Sequence, residues 1–115
     1  MKERREFVRL DMNVKVDWKQ IFEASDITIE ASDKTKNISA GGICLVVNEK
    51  LKKGDKLNID MELPSRKIIN ARGKIVWINE YEIFGREFER VYDMGIEFTQ
   101  IRNEEREEIN KFVFA

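Results

Sequence analysis

Two groups of polar residues near the start of the chain carry side chains suited to holding a ligand. Arg5 and Arg9 stand four positions apart, and each guanidinium can donate paired hydrogen bonds to phosphate oxygens or to guanine O6 and N7. Downstream, residues 37–42 read Asn-Ile-Ser-Ala-Gly-Gly. This stretch supplies an amide that donates and accepts, a hydroxyl, and glycines that let a ligand approach the backbone. The combination favours a site for a guanine nucleotide.

Each group alone has an ordinary explanation. Arginines in an N-terminal arm are commonly solvated, and Asn, Ser and Gly are the residues that turns use. The functional interpretation therefore depends on both groups occurring in one chain, with structural elements that bring them together.

The elements that must position these groups follow the period of two that is typical of half-buried β-strands. The sequence predicts strands at residues 11–19, 27–29, 43–47, 57–63, 68–78 and 94–99. One side of the first strand carries only apolar residues, namely Met12, Val14, Val16 and Trp18. Trp77 falls on the apolar side of the fifth strand, so both tryptophans are predicted to pack in the core. Gly73 in that strand predicts a bend or a bulge.

Polar segments separate the predicted strands. Residues 33–37 read as a polar turn, and further turns are predicted at residues 53–55 and 64–66, the latter beginning at the only proline. Residues 79–92 are mostly charged and aromatic. They predict a long hairpin connection with some strand at its edges.

The pattern changes near the C-terminus, where Ile109, Phe112 and Val113 are spaced as on one face of a helix. Asn103 is the predicted N-cap, and acidic residues follow it in the first turn. The predicted fold is all-β or mainly β: a small antiparallel β-barrel of about six strands with a short C-terminal α-helix. We expect a single domain over residues 1–115, with a flexible ligand-binding arm (1–10), the barrel (11–100) and the helix (103–114).

The composition argues against several classes of function. The chain has 115 residues, with 21 Lys and Arg against 22 Asp and Glu and a formal net charge of -1, so binding of a long nucleic acid is not expected. It has no histidine and one cysteine, Cys44. This excludes an internal disulfide, a His/Cys metal site and the usual Ser-His or Cys-His nucleophile pairs. We predict that the protein is not an enzyme and holds no metal or resident cofactor.

The chain has no stretch that approaches the roughly 20 apolar residues needed to span a bilayer, and its start does not resemble an apolar signal segment. We therefore expect a cytoplasmic protein without membrane insertion. A start at Met1, just before the arginine pair, suits a small stand-alone adaptor.

Read as Arg-x-x-x-Arg followed by Asn-x-Ser-x-x-Gly, the two polar groups resemble the signature of PilZ domains, which are bacterial receptors for cyclic di-GMP. Residues 73–78 and 94–98 look like the later core strands of that family, so the resemblance covers most of the chain. It implies a receptor or adaptor that changes conformation on binding cyclic di-GMP and regulates effectors of motility, exopolysaccharide synthesis or virulence. The effector protein itself is not identified.

The resemblance also implies the roles of individual residues. In the family the two arginines grip guanine edges and phosphate, the Asx and Ser positions contact the guanine, and the motif glycine permits the backbone path. Gly41 lies inside the motif but not at one of its fixed positions. The predicted ligand-binding residues are Arg4, Arg5, Arg9, Asn37, Ser39, Gly41 and Gly42. Residues 79–92 have no counterpart in the family pattern.

Two other functions fit a small β-barrel. One is a protein–protein interaction module that keeps the PilZ-like barrel without binding nucleotide. The other is an OB-like or cold-shock-like barrel that binds oligonucleotides by stacking bases on aromatic side chains. Its candidate platforms are Trp18, Trp77, Tyr81, Phe84 and Phe88. The acidic residues between positions 80 and 93 argue against it.

Arg4 generates a prediction about stoichiometry, because in the family an arginine directly before the motif is associated with a stacked, intercalated pair of cyclic di-GMP molecules. A third guanidinium can stack on a guanine face and offset the added negative charge. We expect two ligands per chain, with Arg4→Ala lowering the ratio or the affinity. A calorimetric titration of the wild-type chain that saturates at one ligand would contradict this.

Overall fold

A computed structural model describes residues 10–11, 13–21, 30–82 and 90–114. Within these ranges the chain forms seven strands and one helix. The strands are β1 (Leu10–Asp11), β2 (Lys15–Ile21), β3 (Glu30–Ser39), β4 (Gly42–Val47), β5 (Lys56–Glu62), β6 (Ile68–Glu82) and β7 (Arg90–Ile101), and the helix is α1 (Asn103–Val113).

The strands form one antiparallel sheet in the order β1-β3-β2-β5-β6-β7-β4. Strand β3 is shared, because its first half pairs with β2 and its second half pairs with β4. The sheet therefore curls around a common core in the manner of a small barrel. The prediction of a mainly β, antiparallel fold with a C-terminal helix is confirmed, with β1 and β3 as strands that the sequence did not predict.

Alternation along the strands decides which side chains enter the core. Val14, Val16 and Trp18 are buried, with Trp18 only 2% exposed, while Lys15 and Asp17 between them are exposed. The same alternation holds in β5, whose Leu57, Ile59 and Met61 are fully buried. The central rows of the core are completed by β4 and β7, whose buried apolar residues include Ile43, Leu45, Met94 and Ile96.

The predicted polar turn at residues 33–37 is wrong, because these residues lie inside β3. Two of their polar side chains, those of Thr35 and Lys36, have partners on neighbouring elements. The Thr35 hydroxyl accepts a 2.9 Å hydrogen bond from the Val14 N–H, and the Lys36 ammonium lies 3.2 Å from the Asp93 carboxylate. The predicted strand at residues 27–29 lies outside the described residues.

The other predicted turns are confirmed. Gly54 adopts a positive φ of 95°, and the Asp55 carboxylate accepts a 2.9 Å hydrogen bond from the Lys52 N–H. At the second turn Arg66 has a φ of 70° and its N–H donates to the Leu63 carbonyl at 2.8 Å. The strand predicted at the edges of the 79–92 connection is confirmed, since β6 continues to Glu82 and β7 starts at Arg90.

The helix α1 begins differently from the prediction. Asn103 is its first residue, and Arg102 stands at the N-cap position without a side-chain capping bond. Glu105 has a different task in this first turn. Its buried carboxylate accepts a 2.7 Å hydrogen bond from the Asn70 N–H at the start of β6 and bonds the Arg102 guanidinium, which raises the pKa of Arg102. The helix start is therefore attached to the sheet.

Further along α1, Glu108 lies between Lys67 at 3.0 Å and Lys111 at 3.3 Å. Hydrogen bonds from Lys67 and then Lys111 hold the pKa of Glu108 below its ordinary value. Ile109 is fully buried, and Phe112 and Val113 pack against the core, which confirms the predicted apolar face. Among the described residues, no helix is long and apolar enough to cross a membrane.

Ile109→Ala tests how far the fold depends on this helix. Removing a fully buried Ile side chain should lower the free energy of unfolding by about 2–5 kcal/mol, as measured by denaturant unfolding. The matched control is Glu107→Ala, an exposed position on the same helix, which should change it by less than about 0.5 kcal/mol. Equal small effects of the two variants would show that α1 is not needed to close the core.

Candidate functional site

An open cavity of about 400 Å³ lies on the outward face of the sheet, where β3, β4, β6 and β7 meet α1. Asn37, Ser39, Gly41 and Gly42 all line it. The structure thus brings together every downstream residue of the predicted site. The predicted site residues Arg4, Arg5 and Arg9 lie outside the described residues.

Strand β1 brings the chain beside this cavity at the point where the described residues begin. Leu10 pairs with Ile38, and Asp11 pairs with Asn37. Ile38 and Ala40 are the motif residues that belong to the core. The residue that follows Arg9 in sequence is therefore hydrogen-bonded to the strand that carries the motif.

The register of four strands produces two rows of residues across the outward face. Partners in paired strands point to the same side of a sheet, and the core row beneath them is Ile38, Ile43, Ile96 and Ile75. The outward rows are Asn37–Cys44–Gly95–Trp77 and Ser39–Gly42–Glu97–Lys74. Gly95 in the first row and Gly42 in the second have no side chain on this face. A trough therefore separates the polar motif residues on β3 from Trp77 on β6.

Ser39 holds the turn between β3 and β4. Its hydroxyl accepts a 3.2 Å bond from the Gly41 N–H and donates to the Gly42 carbonyl at 3.3 Å. The Gly41 carbonyl in turn accepts a 2.9 Å bond from the Phe98 N–H on β7. These bonds fix the backbone of the motif against β7. Ser39 is only 7% exposed, so turn geometry is its first physical role.

Gly42 is required by the close approach of β4 to β7. A Cβ at this position would lie 2.1 Å from the Ile96 carbonyl oxygen, and backbone cannot yield as a flexible side chain can. Among the described glycines, Gly54 has a positive φ and Gly42 does not. Position 42 therefore requires glycine for lack of space and not for backbone conformation.

Trp77 was predicted to be in the core, and this is wrong: its side chain reaches the surface and is 37% exposed. The cause is a register shift in β6, where Ile75 pairs with Ile96 but Trp77 pairs with Gly95. The extra residue, Val76, reverses the side to which later residues point, as a β-bulge does. A second register shift lies at Gly73, where the sequence predicted a bend or bulge, but the extra residue there is Thr99 on β7.

Gly95 provides the space that the Trp77 ring occupies. A Cβ at position 95 would lie 2.0 Å from Trp77 Nε1. The indole therefore rests on the backbone of β7 and forms one wall of the cavity. Aromatic rings in such positions offer a surface on which a nucleobase stacks.

Two charged side chains line the cavity among the described residues, Glu97 on β7 and Arg106 on α1. The sequence reading missed both. Glu97 is exposed and alternates with the buried Ile96 and Phe98, so strand alternation in the sequence already indicated that its side chain faces outward. No local pattern in the sequence indicated Arg106, because its position at the cavity depends on how α1 packs against the sheet. The cavity thus offers an amide, a carboxylate, a guanidinium and an indole. The first three can form hydrogen bonds with the edge of a base, and the indole can stack on its face.

A family model described as the PilZ domain matches residues 3–115. The chain belongs to the PilZ domain family. The resemblance inferred from the two motifs is thereby confirmed, and the cavity described above lies on a PilZ fold. A comparison with curated proteins found no match.

Solved structures share the fold of this PilZ domain at low sequence identity. The inhibitor of motility MotI/DgrA of Bacillus subtilis has a TM-score of 0.76 and 21% identity, over 98% of this chain and 51% of that one. The PilZ domain of Escherichia coli YcgR with cyclic di-GMP has a TM-score of 0.68 and 14% identity, over 97% and 90%.

A complex of Klebsiella pneumoniae MrkH with cyclic di-GMP gives a TM-score of 0.72 and 16% identity, over 98% of this chain and 52% of MrkH. The chain spans about half the length of the MotI/DgrA and MrkH chains that it matches. These likenesses establish the shared fold.

Gly95→Ala tests the placement of Trp77. The added methyl group should displace the indole, lower the unfolding free energy by about 1–3 kcal/mol and change the emission of the exposed tryptophan. Trp77→Ala removes the obstacle, so Gly95→Ala should cost much less in a Trp77→Ala background. An equal cost in both backgrounds, measured by denaturant unfolding, would mean that the ring does not occupy this space.

Proposed function

We propose that this PilZ domain is a receptor for cyclic di-GMP that transmits ligand binding to an effector protein. The observation that carries the proposal is the convergence of Asn37, Ser39, Gly41 and Gly42 on one outward cavity. Two of the structures that share the fold are described as complexes with cyclic di-GMP, which supports the choice of ligand.

The described cavity is suited to the base portion of such a ligand. The Asn37 amide can donate and accept hydrogen bonds at a guanine edge, and the indole of Trp77 can stack on its face. Ser39 keeps the turn in shape through its bonds to Gly41 and Gly42.

The phosphates require further cations. Each phosphodiester carries about one negative charge, whereas Glu97 and Arg106 in the described lining cancel each other. We assign the phosphates and the remaining guanine edges to Arg5 and Arg9, with Arg4 serving a second ligand. The pairing of Leu10 with Ile38 supports this assignment, because it brings the chain that follows Arg9 to the motif strand.

In this proposal the segment that carries Arg4, Arg5 and Arg9 closes over the bound nucleotide, and its new position is read by an effector. The Bacillus relative is named an inhibitor of motility, and MrkH is described as a cyclic di-GMP-dependent transcription regulatory factor. Motility, exopolysaccharide synthesis and virulence are the candidate outputs. The proposed receptor carries out no reaction and acts in the cytoplasm.

The proposal predicts micromolar or tighter binding of cyclic di-GMP, about -8 kcal/mol or better, measured by isothermal calorimetry. Arg5→Ala/Arg9→Ala should abolish the binding, because it removes the cations assigned to the phosphates. GMP should not compete at similar concentration.

The control for this measurement is Lys53→Ala/Arg72→Ala, which removes two exposed cations that do not line the cavity. It should bind as the wild type does. If neither the wild type nor the control binds cyclic di-GMP, the receptor proposal is wrong and a protein–protein module is the better reading.

Hydrogen exchange tests the proposed closure separately. Amides of residues 5–10 should become protected when cyclic di-GMP is added, because the closing segment acquires hydrogen bonds and loses contact with water. Core amides such as that of Ile59 should exchange equally slowly with and without ligand. Binding without new protection at residues 5–10 would contradict the closure and leave the receptor function intact.

A further inference from the structure

The helix α1 supplies a side chain to the cavity that neither sequence motif contains. Arg106 lines the cavity together with Asn37 and Ser39 of β3, and α1 contacts β3 in the fold. Its side chain is partly buried. The cavity is therefore built from the motif strands and from the last element of the chain.

The position of Arg106 on the helix is fixed from both directions. On one side, the Glu105 carboxylate accepts a 2.7 Å hydrogen bond from the Asn70 N–H of β6. On the other, Ile109 is fully buried in the core. Since both neighbours are anchored, the helix cannot rotate Arg106 away from the cavity without breaking these contacts. The anchored helix thus fixes the point from which the Arg106 side chain reaches the cavity.

The charges of the lining indicate which part of a ligand Arg106 meets. Among the described lining residues, Arg106 is the cation and Glu97 is the anion. This wall of the cavity therefore carries no net charge and does not favour the binding of a phosphate. Trp77 and Asn37 on the same cavity are suited to a base. A guanidinium fork matches the O6 and N7 acceptors of guanine with two parallel hydrogen bonds.

We infer that Arg106 is a ligand-contacting residue that pairs with the O6/N7 edge of a guanine of bound cyclic di-GMP. This rests on the proposed receptor function. It makes α1 part of the binding site, so a guanine is held between the motif strand and the C-terminal helix.

A thermodynamic cycle between Arg106 and guanine N7 tests the contact. The probes are cyclic di-GMP and its analogue with 7-deazaguanine in both bases, which lacks the N7 acceptors but keeps the phosphates and the Watson–Crick edges. Each probe is titrated by calorimetry into the wild type, Arg106→Ala and Arg106→Gln. We expect Arg106→Ala to weaken cyclic di-GMP binding about tenfold.

The deciding quantity is the loss of affinity caused by the deaza substitution in each variant. The deaza substitution should cost at least about fivefold less affinity in Arg106→Ala than in the wild type, because the partner of N7 is already gone in that variant. Arg106→Gln keeps most of the aliphatic stem but loses the guanidinium fork, so the deaza penalty should fall here too, which separates the contact from any packing role. Thermal unfolding checks that both variants are folded.

The control is Arg72→Ala, which removes an exposed guanidinium on β6 that does not line the cavity. It should leave the deaza penalty at its wild-type value. An unchanged penalty in both Arg106 variants would overturn the inference while cyclic di-GMP binding by the wild type still supports the receptor. Absence of wild-type binding would instead overturn the receptor proposal and this contact with it.

Discussion

The structure depends on the register in which β4 lies between β3 and β7. The same pairing that buries Ile38, Ile43 and Ile96 in one row directs Asn37, Ser39 and Glu97 to the opposite face. Because side chains alternate along a strand, a slip of one residue would exchange core and cavity. The large free energy of burying the apolar row therefore also fixes the polar groups of the site. Gly42 reinforces this register, since only a residue without a side chain fits against the Ile96 carbonyl.

The site combines a stiff surface with groups from distant parts of the sequence. Asn37 and Ser39 lie on a paired strand, the turn is held by hydrogen bonds of 3.2 and 3.3 Å, and Trp77 rests on the backbone of Gly95. A ligand that meets such a surface orders few side chains, so more of the contact energy remains as affinity. In the proposed receptor, the segment assigned to the phosphates bears the cost of ordering, and that cost allows binding to be converted into a change of conformation.

Local patterns in the sequence predicted most of the fold. Strict alternation identified β2 and β5, an apolar run identified β4, and helical spacing identified α1. The motif 37–42 identified the part of the site that one hairpin carries. The polar sequence of residues 33–37 wrongly predicted a turn, because these residues form part of β3 through backbone pairing with β2 and β4.

The remaining failures have a different origin. Alternation cannot show a bulge, so the extra residue Val76 placed Trp77 on the wrong side. Arg106 reaches the cavity through the docking of α1, and nothing in its neighbours along the chain indicates this. Asn103 has the residue type of an N-cap, yet it is the first residue of the helix, and this first turn is attached to β6 through the bond between Glu105 and Asn70.

Strand β3 contacts both the first and the last described elements of the chain, β1 and α1. Both ends of the described part of the chain therefore lie near the cavity. Leu10 is paired with the motif strand, and Phe114 lies about 12 Å along the helix axis from Arg106, given the rise of an α-helix. In the proposed receptor, a purification tag fused to either end of the chain is therefore a variable that binding measurements must match between variants.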